Sequence, residues 1–281
     1  MESAGCVVFT EDKNSTKRNE VLKIAMLYSN DCNALIMNYP NDNSIANNGY
    51  MHEGITSTKL GLKGIPSLAE EMMVDRDINL IEYTQSRFHL SYISTTKSAK
   101  KIREAKAAGL NITADVALHN LFLTDEAVNN FDTRFKVMPP LRTEKDNITL
   151  INALIDGTID VITTDHTPQD AENKKIEFDN AANGIIGLES AFGLIGKHLL
   201  PKIDISTIIK KIAINPRKIL KISEVKIEEG QPANITLFNP DLEWEFTSKD
   251  IKSLSVNTPF IGEKLKGKAL AIYNNGQFKS C

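Results

Sequence analysis

The 281-residue chain has little cysteine and no excess of basic residues. Its three cysteines, Cys6, Cys32 and Cys281, are widely spaced and odd in number, which argues against a disulfide framework and favours a reducing compartment. The 36 Asp and Glu residues outnumber the 33 Lys and Arg residues. We therefore expect no nucleic-acid-binding surface and no polybasic membrane patch.

Long apolar runs are also missing. No run reaches the roughly 18 residues that a membrane span needs, and the opening MESAGCVVFTED has neither the basic nor the apolar region of a signal peptide. These absences predict a cytoplasmic protein with no membrane contact. The length and the 41% apolar side chains are sufficient for a sizeable core without disulfide or metal staples.

The histidines lack the spacings of common metal sites. No HxH, HxxxH or HExxH pattern occurs among His52, His89, His119, His166 and His198. Taken singly, each is more typical of a surface or core-edge residue than of a metal ligand.

Short apolar runs alternate with helical patterns along the first 200 residues. The runs predict strands at Cys6–Phe9, Ala34–Met37, Phe88–Tyr92, Ile112–Val116 and Ile159–Ile162. Between them, Ser67 with Glu70 and Thr143 with Asp146 form capping-box patterns that open helices, and Thr95 begins a third helix that ends at Gly109. This alternation predicts an α/β fold with a parallel sheet of about five βα units.

The character of the sequence changes near residue 226. Helical patterns continue to Leu220, whereas Ala233–Phe238 and Ala269–Tyr273 are short β runs, and Asn274-Asn275-Gly276 is a turn signal before a closing strand. We predict a barrel domain over 1–225 and a small β segment over 226–281.

The residues that end the predicted strands are candidates for a site, because reactive groups of parallel α/β barrels lie at the C-terminal face. Thr164-Asp165-His166 is the strongest of these signals, since it presents a carboxylate and an imidazole, as a metal ligand or general base would require. An aspartate that caps the next helix is an equally good reading of these three residues alone.

Three motifs carry a resemblance to a known family: Thr164-Asp165-His166-Thr167-Pro168, Val137-Met138-Pro139-Pro140-Leu141-Arg142 and Gly184-Ile-Ile-Gly187-Leu188-Glu189. Together they resemble the dihydroorotase family of the amidohydrolase superfamily, and residues 230–238, 257–260 and 265–268 look like its C-terminal β segment. The resemblance runs from about Gly5 to the end of the chain. It implies a (β/α)₈ barrel with a small β domain and zinc-assisted, reversible closure of carbamoyl aspartate to dihydroorotate in pyrimidine synthesis.

Carried over residue by residue, the resemblance assigns two retained metal positions. Asp12 matches the carboxylate that bridges or binds metal, and Asp165 matches the last metal ligand and catalytic base. Arg142 and the segment from Gly184 to Gly187 are also kept, and Gly184 stands at a substrate-binding position.

Other family positions are replaced. Tyr39 and Tyr92 stand where the family has metal-binding histidines, Met138 stands where a substrate-contacting Asn is usual, and Gln169 stands where a substrate-contacting His is usual. The family's first-strand His-x-His pair has no counterpart, because Met1 falls near the fourth barrel strand. Neutral imidazole is a good zinc ligand, whereas a phenol with a pKa near 10 must first lose a proton.

We therefore expect no zinc or only weak metal binding, and a non-catalytic dihydroorotase-like protein with a structural or regulatory role. Some relatives of that kind assemble with aspartate carbamoyltransferase, so a homo- or hetero-oligomer is expected. The alternative is an active zinc-dependent dihydroorotase or related cyclic amidohydrolase with altered ligands, and a third reading is a gene remnant that folds poorly.

The expected fold is an incomplete TIM-type (β/α) barrel of the amidohydrolase type, about the last five strands, with a small C-terminal β appendage. Its first and last strands would be unpaired edges unless something covers them. Either about 100 residues precede this sequence in the native chain, which we favour, or a partner supplies the remainder.

Overall fold

The computed structural model describes residues 4–280, so Cys281 lies outside the described residues. Within that range the strands are β1 (Val8–Thr10), β2 (Leu35–Asn38), β3 (Met51–His52), β4 (Gly64–Ile65), β5 (Phe88–Leu90), β6 (Ile112–Ala117), β7 (Val161–Thr163), β8 (Ile235–Glu245), β9 (Lys264–Asn274) and β10 (Gln277–Ser280).

The α-helices of the same range are α1 (Asn19–Asp31), α2 (Asn43–Ala46), α3 (Ile55–Leu60), α4 (Leu68–Thr84), α5 (Thr96–Ala107), α6 (Glu144–Ile155), α7 (Ala171–Lys174), α8 (Ala191–His198), α9 (Ile205–Ile209) and α10 (Asn215–Ile219). A π-helical segment, Lys210–Ile214, joins the last two. No helix between residues 4 and 280 is long and apolar enough to cross a membrane.

Five parallel strands form the main sheet, in the order β1-β2-β5-β6-β7. Each of the five predicted strands is confirmed within two residues at either end, and helices connect them as βαβ units. In the described residues, β1 pairs only with β2 and β7 only with β6, so both edges of the sheet are open. The predicted α/β architecture of about five barrel strands is thereby confirmed.

One apolar core joins the sheet to its helices and to the C-terminal segment. It contains residues from β5, β6 and α5, such as Phe88, Val116 and Ile102, and it also includes Phe246 and Leu265 of the C-terminal segment. The C-terminal sheet therefore packs on the same core as the barrel strands. The division at residue 226 stays a prediction.

The two predicted capping boxes have different outcomes. At α6 the motif is confirmed, since Thr143 Oγ1 accepts from the backbone N–H of Asp146 at 3.4 Å and Asp146 Oδ2 accepts from Thr143 N at 3.3 Å. At α4 it is wrong, because Ser67 is already helical and caps nothing with its side chain. Glu70 is instead buried and accepts hydrogen bonds from Ser94 and Thr95.

The C-terminal sheet is antiparallel, in the order β10-β9-β8. The predicted turn is confirmed, as Asn275 and Gly276 have φ values of 50° and 75°, which suit a two-residue hairpin. The Asn239-Pro240 pair does not end a strand. Strand β8 continues through it with a register shift between Asn239 and Glu243, and such an irregularity tolerates a proline without an N–H to donate.

Candidate functional site

Four residues that the resemblance assigns to metal positions follow strand ends of the main sheet: Asp12 after β1, Tyr39 after β2, Tyr92 after β5 and Asp165 after β7. Because the strands are parallel, these residues lie at one edge of the sheet. Three of them adopt left-handed backbone conformations, with φ of 56° at Asp12, 58° at Tyr92 and 47° at Asp165. Such a conformation costs roughly 1–2 kcal/mol at a non-glycine residue, and strained residues of this kind cluster at functional sites.

A lysine occupies the centre of this group. Lys13 Nζ lies 2.5 Å from Asp165 Oδ1, donates to the carbonyl oxygen of Met138 at 3.1 Å and lies 4.7 Å from the centroid of the Tyr92 ring. The Asp165 side chain is 3% exposed and that of Lys13 is 26% exposed. The buried carboxylate therefore has an ammonium group as its counter-ion.

A tight turn after β1 decides which side chain faces the site. The backbone N–H of Asn14 donates to the carbonyl of Glu11 at 3.1 Å, and Asp12 N donates to Thr10 Oγ1 at 3.0 Å. Asp12 is exposed on this turn, whereas Lys13, the next residue, reaches Asp165. The metal-binding role of Asp12 stays a prediction.

The two tyrosines are neutral phenols. Tyr39 is 3% exposed, and its ring meets that of Tyr92 edge-on with 6.1 Å between centroids. Burial, followed by the charge of Glu70, raises the pKa of Tyr39, and burial, followed by the charge of Asp165, raises the pKa of Tyr92. Neither hydroxyl can easily become the phenolate that would bind a metal ion.

His119 lies on the other side of Asp165. Its Nε2 is 3.9 Å from Asp165 Oδ2, and each of these two buried atoms lacks a hydrogen-bond partner within the described residues. Burial, followed by the charge of Lys13, lowers the pKa of His119 to about 3. Burial also raises the pKa of Asp165, although Lys13 opposes that shift. His119 is therefore a neutral imidazole beside the Lys13–Asp165 pair.

His166 has a structural role, although it follows Asp165 directly. Its Nδ1 accepts from the backbone N–H groups of Gly187 and Leu188 at 3.1 and 3.3 Å, and its Nε2 lies 3.2 Å from Ser253 Oγ. Both ring nitrogens are engaged, so the imidazole anchors two loops instead of sharing a pocket with the carboxylate.

Gln169 borders a separate cavity. Its backbone N–H donates to Ser255 Oγ and Asn257 Oδ1 at 3.3 and 3.1 Å, and its Nε2 donates to the carbonyl of Asn183 at 2.9 Å. The cavity has a volume of about 740 Å³ and is lined by residues 132–134, 168–171, 174–175 and 253–257. Asp165 is not among them, so the structure does not bring Gln169 and Asp165 to one cavity wall.

Gly184 and Met138 contribute through their backbones. Gly184 has φ of +139°, and an added Cβ would lie 2.7 Å from the side chain of Thr167, so the loop after Asp165 requires a glycine there. Its N–H donates to the carbonyl of Lys136 at 2.9 Å. The side chain of Met138 packs against the apolar cluster of Ile65, and only its carbonyl reaches Lys13. Their substrate-binding roles stay predictions.

Arg142 is buried in the protein interior. Its Nε donates to Ser94 Oγ at 3.0 Å and its Nη1 to the carbonyl of Ile65 at 3.1 Å, with His52 Nδ1 3.2 Å away. Its Nη2 lies 3.9 Å from Glu70, and its side chain is 2% exposed. The guanidinium is thus an internal structural cation and is not free for a ligand.

The described residues do not fit the family's zinc ion. No group of three or more His, Cys, Asp and Glu side chains between residues 4 and 280 is arranged to hold a metal. A catalytic zinc site takes about three such donors and a structural site about four. Near Asp165 the described residues offer one imidazole, that of His119 at 3.9 Å, together with two neutral phenols and an ammonium group. A cation cannot approach the Lys13-bound oxygen without displacing a like charge.

Sequence reasoning did not identify Lys13 and assigned His119 to a surface or core edge. A signal for Lys13 was available, because it follows a predicted strand end next to a candidate carboxylate. Aspartate tolerates the left-handed conformation of Asp12 better than most residues do, but the residue types alone do not specify that Lys13 and not Asp12 is directed inward.

Comparisons with known proteins agree with the motifs. A family model described as dihydro-orotase-like matches residues 1–98. The dihydroorotase of Pelotomaculum thermopropionicum is 42% identical over 279 residues, which are 99% of this chain and 65% of the relative. The dihydroorotase of Acetivibrio thermocellus is 41% identical over 278 residues, with coverage of 98% and 65%. The chain spans about 65% of the length of these curated relatives.

Solved structures show the same fold at lower identity. The L-hydantoinase (dihydropyrimidinase) of Arthrobacter aurescens superimposes with a TM-score of 0.87 at 19% identity, over 100% of this chain and 66% of that one. A D-hydantoinase gives a TM-score of 0.83 at 18% identity, with coverage of 98% and 64%. The fold is thus the one that these hydantoinases have, and the sequence relatives show that the chain belongs to the dihydroorotase-like family.

Proposed function

We propose that this chain is a dihydroorotase-like protein of pyrimidine synthesis that does not hydrolyse dihydroorotate. The observation that carries the proposal is the ion pair between Lys13 and Asp165, 2.5 Å long and largely buried. Asp165 stands at the position of the family's last metal ligand and catalytic base. A carboxylate bound to an ammonium group is a poor metal ligand and a weak base, because both functions compete with the existing pair.

The surrounding groups support the same proposal. Hydrolysis of a cyclic amide at neutral pH needs an activated water, which a zinc ion supplies by lowering the water's pKa. Tyr39 and Tyr92 keep their protons, and His119 has one nitrogen facing Asp165. These side chains can bind through neutral hydrogen bonds, but they provide no set of donors for a catalytic metal.

The remaining role that we propose is structural or regulatory, in the cytoplasm, with aspartate carbamoyltransferase as the partner. The proposal rests on membership of the family. Sedimentation of the full chain with purified aspartate carbamoyltransferase of the same organism is expected to give one faster-moving species. Two independent boundaries at micromolar concentrations would refute this part of the proposal.

The test of the catalytic proposal is zinc content measured together with activity. The full chain, purified from zinc-sufficient medium without a metal-binding tag, is expected to contain almost no zinc and to leave dihydroorotate unhydrolysed. The dihydroorotase of Pelotomaculum thermopropionicum, prepared in parallel, is the positive control. A zinc content of about one ion per chain with measurable hydrolysis would overturn the proposal.

A further inference from the structure

Asp165 needs a nearby positive charge for an electrostatic reason. Its side chain is 3% exposed, and one oxygen, Oδ2, has no hydrogen-bond partner within the described residues. Leaving such a carboxylate in the interior without a counter-charge is strongly destabilising. In a metalloenzyme a bound metal ion can provide that charge.

Lys13 has the contacts of a bound cation. Its ammonium group meets the Asp165 carboxylate at 2.5 Å, the carbonyl oxygen of Met138 at 3.1 Å and the face of the Tyr92 ring at 4.7 Å. Two oxygens and an aromatic face are favourable surroundings for a positive charge. We propose that Lys13 is a tethered counter-ion that neutralises Asp165 in place of a metal ion, an inference that rests on the proposed function.

The two partners differ in what they can do when the other is removed. Lys13 is 26% exposed and has a flexible four-carbon stem, so without Asp165 its ammonium group can turn into water. Asp165 is fixed at φ 47° at the end of its strand, so without Lys13 its charge stays buried. Loss of the lysine should therefore destabilise the protein more than loss of the carboxylate's charge.

Four variants of the full chain test this asymmetry by thermal unfolding. Lys13→Met is expected to lower Tm by about 5 °C, because it leaves one buried, uncompensated charge. Asp165→Asn should lower Tm by less than half of that amount. The double variant K13M/D165N should return to within about 2 °C of the wild type, because neither charge remains. Lys17→Met is the matched control, since Lys17 is exposed and in none of the ion pairs within residues 4–280.

The outcomes separate this inference from the proposed function. If K13M fails to fold while K13M/D165N folds, the tethered counter-ion is supported. It is overturned if K13M unfolds at the same temperature as K17M, or if the double variant is no more stable than K13M. Zinc and hydrolysis in the wild type would instead refute the proposed function, whatever the Tm values of the variants.

Discussion

Replacement of Gly196 by alanine should separate helix α8 from strand β9. A Cβ atom at Gly196 would lie 1.7 Å from the carbonyl oxygen of Lys266 and 2.6 Å from its carbonyl carbon, whereas ordinary Cβ contacts stay above 3.0 Å. The two backbones must therefore move apart by more than 1 Å, which loosens the packing of Leu194 and Leu265 in the core. We expect overpacking to cost about 4 kcal/mol, of which alanine's better helix propensity returns about 1 kcal/mol.

The net loss of about 3 kcal/mol corresponds to a fall in Tm of about 8 °C for a chain of this size. Gly193→Ala is the matched comparison on the same helix. Its added Cβ would lie 2.9 Å from Cβ and Cδ1 of Leu265, just inside the 3.0 Å limit. A much smaller shift therefore relieves the contact than at Gly196, and we expect a loss of about 1 kcal/mol. Differential scanning calorimetry of both variants checks the ranking. A Gly196→Ala protein as stable as Gly193→Ala would refute the close backbone approach.

Three further predictions concern charge and metal chemistry. Arg142→Met should lower the free energy of unfolding, measured in urea, by about 3 kcal/mol, because it leaves the buried carboxylate of Glu70 without its cation. Arg142→Lys should recover less than half of that free energy, because an ammonium group lacks the guanidinium fork. His198, whose pKa burial lowers to about 4, binds a proton more readily when unfolded, so stability should fall as pH falls from 6.5 to 4. At pH 5 the part of the loss that is due to His198 should be about 1 kcal/mol after allowance for partial exposure. His198→Gln should remove that part and leave the contribution of His119, whose pKa burial also lowers. The triple variant Tyr39→His, Tyr92→His, Lys13→Ala should contain more zinc than the wild type, and equal zinc contents in elemental analysis would contradict that expectation.

The barrel strands could be predicted because their signal is local. A short apolar run between polar turns specifies a buried parallel strand with little help from the rest of the chain, and β2, β5 and β6 lie where their runs predict. The same holds for the Asn275-Gly276 hairpin, since only residues that tolerate positive φ fit that turn.

The capping boxes show where local reasoning ends. The same residue pattern opens α6 as predicted and fails at α4, because Glu70 gains more in the interior than at the helix end. There its carboxylate accepts from the N–H groups of Ser94 and Thr95 at 3.0–3.2 Å and from both of their hydroxyls. These donors are 24 and 25 residues away in sequence. A short sequence pattern therefore cannot show that the interior competes with the helix end for the side chain of Glu70.

The candidate site also depends on contacts that local sequence patterns do not specify. Resemblance predicted which residues stand at the family's metal positions, and the fold places all of them at strand ends. Lys13 and not Asp12 reaches Asp165 from a turn in which Asp12 is left-handed, with φ 56°, and in which Asn14 N donates to the carbonyl of Glu11. The close approach of α8 to β9 at Gly196 likewise arises from the packing of distant segments, which leaves only an isolated glycine in the sequence.

The buried carboxylates of the barrel have partners that the chain itself supplies. Among the described residues, four carboxylate side chains belong to residues that are at most 6% exposed: Glu70, Asp77, Asp115 and Asp165. Each has partners in this chain. Glu70 accepts from the backbone N–H groups of Ser94 and Thr95, and Asp77 pairs with Arg76 at 2.6 Å. Asp115 accepts from the backbone N–H of Tyr92 at 2.8 Å and lies 2.9 Å from His89, and Asp165 pairs with Lys13 at 2.5 Å. A buried carboxylate that relied on a metal would lose its compensation whenever the metal dissociated. Because Lys13 is covalently attached, the charge at Asp165 stays balanced at any metal concentration, and the stability of the barrel should not change on treatment with a chelator.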